Sequence, residues 1–161
     1  DFESIYYQQY EWLVKIKSEF KNLKIAVAFQ KNRKIDNQTI NILYNSGVEI
    51  IVPNNSYTGY GLGLNSELNL CSCSTIGWEL IGHKKKCYFI DINEKNSIYF
   101  SHEEDQIKKL KLTNFNQLKK IVIDTFIKKD NIFPANIDIN DYCLDSVDTS
   151  KNIYKSLNNF I

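Results

Sequence analysis

The sequence predicts an α/β chain of the doubly wound kind, a mainly parallel sheet with helices on both faces. Residues 68–82 followed by 87–92 read as strand, hydroxyl-rich turn, helix and strand with barely enough residues to connect them, a unit that implies parallel pairing. The longest apolar runs, at 25–29, 48–52 and 88–90, are strand-sized, and the nearly continuous one at 23–29 suits a strand covered on both sides. Between the runs the apolar residues recur at spacings of three and four, the period of a helix with one buried face.

In order along the chain, residues 3–21 carry Ile5, Tyr6, Tyr10, Trp12, Leu13, Ile16 and Phe20 with charges between them, so an amphipathic helix is expected to cover a sheet face. The first strand, 23–29, ends in the polar loop 30–34. Asp36 is the expected cap of a short helix through Ile40, Leu43 and Tyr44 that Gly47 ends, and 48–52 is the second strand, closed by Pro53-Asn54-Asn55. Residues 56–66 hold Tyr57, Tyr60, Leu62 and Leu64 with glycines at 59, 61 and 63, and read as a weak helix or an irregular connection. Their Gly-x-Gly-x-Gly leads into a strand, whereas a dinucleotide loop opens from a strand into a helix, so it is not a phosphate fingerprint.

After residue 92 come a polar loop, the short run 98–100 and an acidic patch at 102–105. Residues 110–112 are ambiguous, 114–129 form a helix with Phe115, Leu118, Ile121, Val122, Thr125 and Phe126 on one side, and 150–161 form a terminal helix. No internal repeat or linker divides the chain, so one domain is expected from its 161 residues, with 43% apolar side chains to build a core. The chain contains no methionine, and excision from a longer two-domain chain is expected.

The net charge of +1, from 20 basic and 19 acidic side chains, provides no global field for nucleic acid, which is excluded as an expected partner. No apolar run approaches the roughly 20 residues that cross a bilayer. Cys71, Cys73, Cys87 and Cys143 are spaced neither as a zinc ribbon nor as a Cys-x-x-Cys redox pair, so they are expected as reduced core thiols in a cytoplasmic protein. No metal is expected: Asp138 and Asp141 fall in a polar loop without an EF-hand pattern.

The turn at 72–75 carries the chemistry. Ser74 and Thr75 are placed to cap the helix while its first N–H groups stay open, offering an arriving phosphate unpaired donors, hydroxyls and the positive end of the helix dipole. Glu79, one turn beyond Thr75, is on the same helix face and positioned for a sugar hydroxyl. Capping alone accounts for many such turns, and most helical glutamates are solvated. Ligands of open parallel sheets collect at the carboxyl ends of strands, where Ser72, Ser74, Thr75 and Asp91 would sit, with Lys31 and Asn54 in the loops that follow the first two strands. The run Lys84-Lys85-Lys86 is expected beside the serine turn. His83 and His102 are expected in solvated segments rather than as catalytic bases, so the catalytic residues stay unknown.

The stretch LNLCSCSTIGWELIGHKKKCYFID, with the opening Tyr-x-Trp-Leu helix and the closing LDSVDTSKNIYKSLNNFI, resembles the C-terminal donor-binding half of GT-B glycosyltransferases that build bacterial capsules and other surface polysaccharides. The resemblance implies a Rossmann-like half domain in which Ser72, Ser74 and Thr75 contact the phosphate of a nucleotide-sugar donor, a pyrimidine nucleotide being favoured, and Glu79 binds the ribose. It implies no cofactor besides that donor. The partner is an N-terminal acceptor-binding half that supplies the catalytic base and any peripheral contact with the inner membrane, so the chain alone is expected to be inactive. Many relatives carry a Lys-x-His-Pro turn after the first strand, where this chain has Phe29-Gln30-Lys31-Asn32, leaving Lys31 or Arg33 to substitute electrostatically. A sugar-nucleotide epimerase fragment and a non-enzymatic interaction domain share the same expected fold.

Overall fold

The structure is a computed structural model that describes residues 2–29, 35–52, 58–72, 74–92 and 108–130. Helix α1 (Phe2–Glu19) leads into strand β1 (Ala26–Ala28), followed by α2 (Asn37–Ser46), β2 (Glu49–Ile51), α3 (Thr58–Asn65), β3 (Asn69–Cys71), α4 (Thr75–Gly82), β4 (Cys87–Ile90), β5 (Lys111–Leu112) and α5 (Phe115–Val122). Helix α5 widens into a π turn over Ile123–Ile127. Lys31, Asn54, Cys73, Asp138, Asp141, Cys143, the run 98–100, the acidic patch and the expected terminal helix at 150–161 lie outside the described residues.

Among the described residues every strand pair is parallel, as the tight strand–helix–strand spacing predicts. The expected single sheet is instead two small ones among the described residues: β1 with β2, and β3-β4-β5 in that order. The strands are also shorter than the apolar runs that announce them, since the ladders engage only Ala26–Ala28 opposite Glu49–Ile51 and Asn69–Cys71 opposite Cys87–Phe89. Burial follows the same division. All four residues of β4 are buried, whereas β1 turns Val27 inward and leaves Ala26 and Ala28 exposed, contrary to a strand covered on both faces.

Local signals set the helix ends. Asp36 caps α2 by accepting the Thr39 N–H at 2.7 Å, and Gly47 closes it at φ 79°, a left-handed value that glycine adopts without a Cβ clash. At α5, the Asn114 side chain accepts the Gln117 N–H while the Gln117 side chain accepts the Asn114 N–H, a reciprocal capping box.

The core has two parts joined by α1. The larger gathers Ile16, Leu80, Ile81, Cys87, Phe89, Leu110, Leu112, Leu118 and Val122, and the smaller gathers Phe29, Leu43 and Val48 with Tyr10 and Val14 of α1 against it. Helix α1 packs on α2 and also meets α5 through an edge-on Trp12–Phe115 pair, Lys15 above the Phe115 ring and a Glu19–Lys119 ion pair. Helices α3 and α4 pack on each other, with Leu80 against Gly63. The helices thus fall into an α2-α1-α5 group and an α3-α4 group.

Candidate functional site

Strand β3 delivers the chain to the turn at 72–75. Asn69 anchors its start: the buried carboxamide donates to the Gly63 carbonyl at 3.1 Å and the Lys86 carbonyl at 3.2 Å, tying β3 to the end of α3 and the approach to β4. The sequence alone gives Asn69 no role, because an asparagine in an Asn-rich chain carries no sign of its partners.

At the carboxyl end of β3, Ser72 is half-buried and its Oγ accepts a 3.1 Å hydrogen bond from Nε2 of Gln9 in α1, whose side chain is 6% exposed. This bond commits one of the two Ser72 lone pairs and leaves its hydroxyl hydrogen able to donate elsewhere. The Ser72 carbonyl accepts the Ser74 N–H at 3.1 Å and closes the turn. Ser74 then caps α4 in extended backbone, its Oγ accepting the Ile76 N–H at 3.4 Å and its carbonyl accepting the Gly77 N–H at 3.2 Å. Thr75, at the first helical position, keeps its N–H outside the helical ladder, and Ser74 and Thr75 are both exposed. Open N–H, exposed hydroxyls and a positive dipole end therefore converge at one point, an arrangement suited to an anion.

The turn can sit this close to the sheet because α4 carries glycine where it crosses. A Cβ on Gly77 would stand 2.5 Å from Cε1 and 2.8 Å from Cζ of Phe89, and 3.3 Å from the Cys71 Cβ. Phe89 fills that space, stacked at a tilt on Trp78 with centroids 4.8 Å apart.

The other expected residues are placed differently from one another. Glu79 is exposed on the same side of α4 as Thr75, one turn on, as the spacing predicts. Asp91 follows β4 at a carboxyl end but is 0% exposed, its Oδ2 3.9 Å from the Lys111 Nζ, so the structure holds it inside the fold rather than on the ligand-accessible surface. Lys31 and Asn54 lie outside the described residues. The expectation that Lys84, Lys85 and Lys86 stand beside the serine turn is overturned. They follow the C-terminus of α4, whose eight residues separate them from Ser74 by about 12 Å along the helix axis. His83 carries its ring 5.7 Å from that of Tyr60.

Cys71 and Cys87 are unbridged, as expected, and the Cys87 thiol donates to the Cys71 sulfur across 3.7 Å. That hydrogen bond pulls the Cys71 pKa down and pushes Cys87 up, with burial adding to the rise at Cys87. Among the described residues no group of three or more His, Cys, Asp or Glu side chains is placed to hold a metal ion, and no helix is long and apolar enough to cross a membrane. Comparison with family models, with curated proteins and with solved structures finds no match to this chain.

Proposed function

We propose that this chain is the donor-binding part of a glycosyltransferase of bacterial surface-polysaccharide synthesis, holding the phosphate of a nucleotide-sugar at the β3–α4 turn. The observation that carries the reading is the turn itself: Ser74 caps α4, the Thr75 N–H stays open, and Gln9 fixes Ser72 beside them at the carboxyl end of a parallel strand. The sequence resemblance around the same residues supplies the substrate class, with a pyrimidine nucleotide favoured.

Topology supports the finer fold reading. The orders β1-β2 and β3-β4-β5 match the two halves of a doubly wound sheet ordered 2-1-3-4-5, which a pairing of β1 with β3 would complete. With right-handed crossovers, such a sheet sends α2 to one face and both α3 and α4 to the other, because the chain reverses direction after β2. The helix contacts divide in that way. Ligands of this topology bind at the switch point, here between β1 and β3, and Gln9 reaches Ser72 at the carboxyl end of β3.

In this reading the Ser72 and Thr75 hydroxyls and the first N–H groups of α4 hold the donor's phosphate and stabilise the charge that grows on the nucleotide as the glycosidic bond breaks. Glu79 accepts from a ribose hydroxyl. Asp91, buried against Lys111, braces β4 and is left out of the ligand set. The acceptor and the base that deprotonates it belong to an N-terminal half, in the cytoplasm at the inner membrane.

Calorimetry with UDP, CMP and GDP, each against its nucleoside, tests the proposal. A nucleotide should bind more tightly than its nucleoside, and at 100 times its Kd should stabilise the fold by about 2.7 kcal/mol. Failure of all three to bind folded protein at millimolar concentration refutes the donor-binding reading.

A further inference from the structure

The lysine run that the serine turn does not use has a setting of its own. Lys84, Lys85 and Lys86 line a cavity of about 460 Å³ together with Leu64, Asn65, Ser66, Glu67 and Thr125. It lies at the amino ends of β3 and β4, since Ser66 and Glu67 precede β3 and Lys86 precedes β4. It is a depression open to solvent, and its lining is polar except for Leu64.

Three ammonium groups there outweigh the Glu67 carboxylate and the roughly half negative charge at the C-terminus of α4. Lys86 is held by a 3.0 Å bond from its Nζ to the Asp130 carbonyl, which fixes one cation against the wall. Thr125 arrives from the π turn, a widened helical turn of the kind that recurs at functional sites. Lys84 sits at φ 59°, where glycine would close the helix with less strain, yet the chain keeps a cationic side chain at that point.

From this cavity we infer a second ligand site, separate from the β3–α4 turn, for a phosphorylated polyol whose phosphate meets Lys84 and Lys85 and whose hydroxyls meet Glu67, Asn65, Ser66 and Thr125. Lysine supplies a compact charge with three donors for the phosphate, and the Glu67 carboxylate only accepts, so it matches hydroxyl hydrogens and repels a bare polyanion. A free sugar phosphate and a phosphoinositide lipid headgroup present this same chemistry.

The test is a calorimetric titration of the whole chain with ribose 5-phosphate, alongside co-sedimentation with phosphoinositide vesicles. Saturable binding in either arm is expected, weakened at least tenfold in the Lys84→Gln, Lys85→Gln double variant and unchanged in Ser74→Ala. The arm that binds identifies the source of the headgroup. Amide resonances of Lys85 and Thr125 in the unsubstituted protein should shift during the same titration, a readout that does not depend on the variant's fold. Binding in neither arm, equal affinity in the double variant, or loss of binding in Ser74→Ala overturns the proposal.

Discussion

Replacing Gly77 by alanine tests whether the first turn of α4 is pressed onto the sheet as the site requires. In an exposed helix interior, glycine to alanine stabilises by about 1 kcal/mol, because the backbone gives up less freedom on folding. At Gly77 the new Cβ would meet Phe89 at 2.5 Å, about 1 Å inside ordinary carbon contact, and Phe89 is 1% exposed with a rigid ring. Overpacking of this kind costs about 1–3 kcal/mol, so the expected net is a loss of up to about 2 kcal/mol. Gly61, in α3, has nothing within 4 Å of the position a Cβ would take, so Gly61→Ala should gain about 0.5–1 kcal/mol. Urea midpoints at constant slope measure both. If Gly77→Ala instead gains about 1 kcal/mol, as an uncrowded helical glycine would, while Gly61→Ala behaves as expected, α4 does not rest on Phe89 and the turn geometry above is wrong.

Other outcomes follow from the same structure. Ser74→Ala removes the cap and should lower stability by about 1 kcal/mol in urea; on the donor-binding proposal it should also weaken a nucleotide more than its nucleoside in calorimetry. Burial, reinforced by Asp124, raises the Tyr88 pKa above its ordinary value of 10.0. The neutral phenol is therefore favoured by folding, so its contribution is complete below about pH 10 and is lost as pH rises through the folded value. Tyr88→Phe should flatten that alkaline fall in urea midpoints measured against pH. Peptide mapping after limited alkylation should find Cys71 modified before Cys87, since the thiol of Cys87 stabilises the Cys71 thiolate; the reverse order contradicts the hydrogen-bond direction.

Much of the fold is legible because its signals are local. Asp36 and Gly47 bracket α2, and Ser74 opens α4, through bonds that reach no more than a few residues along the chain. Of the ambiguous residues 110–112, Lys111 and Leu112 become β5 only because β4 offers Phe89 and Ile90 as partners, a long-range pairing that two residues cannot announce. The break into two sheets is equally non-local.

The site is legible where it depends on helix geometry and not where it depends on which end of an element a residue occupies. Glu79 shares a face with Thr75 by helical spacing alone. Lys84, Lys85 and Lys86 are close to Ser74 in sequence, but a helix of eight residues carries them to the other end of the sheet. Asp91 reads as a ligand because it ends a strand, whereas the side chain is buried beside Lys111, which is 20 residues away. Gln9 is invisible for a similar reason: its partner Ser72 is 63 residues distant, and nothing in an amphipathic helix distinguishes a glutamine that will be buried.

Whether a nucleotide binds at the carboxyl ends of the parallel strands decides the proposal, and amide chemical-shift mapping during a titration with UDP answers it most directly. Donor binding at the β3–α4 turn predicts saturable shifts at Ser72, Thr75, Ile76 and Gly77, with Glu79 following from its contact with the ribose. Saturable shifts confined to Lys84 to Lys86 and Thr125, or none at Thr75 and Ile76, would contradict it.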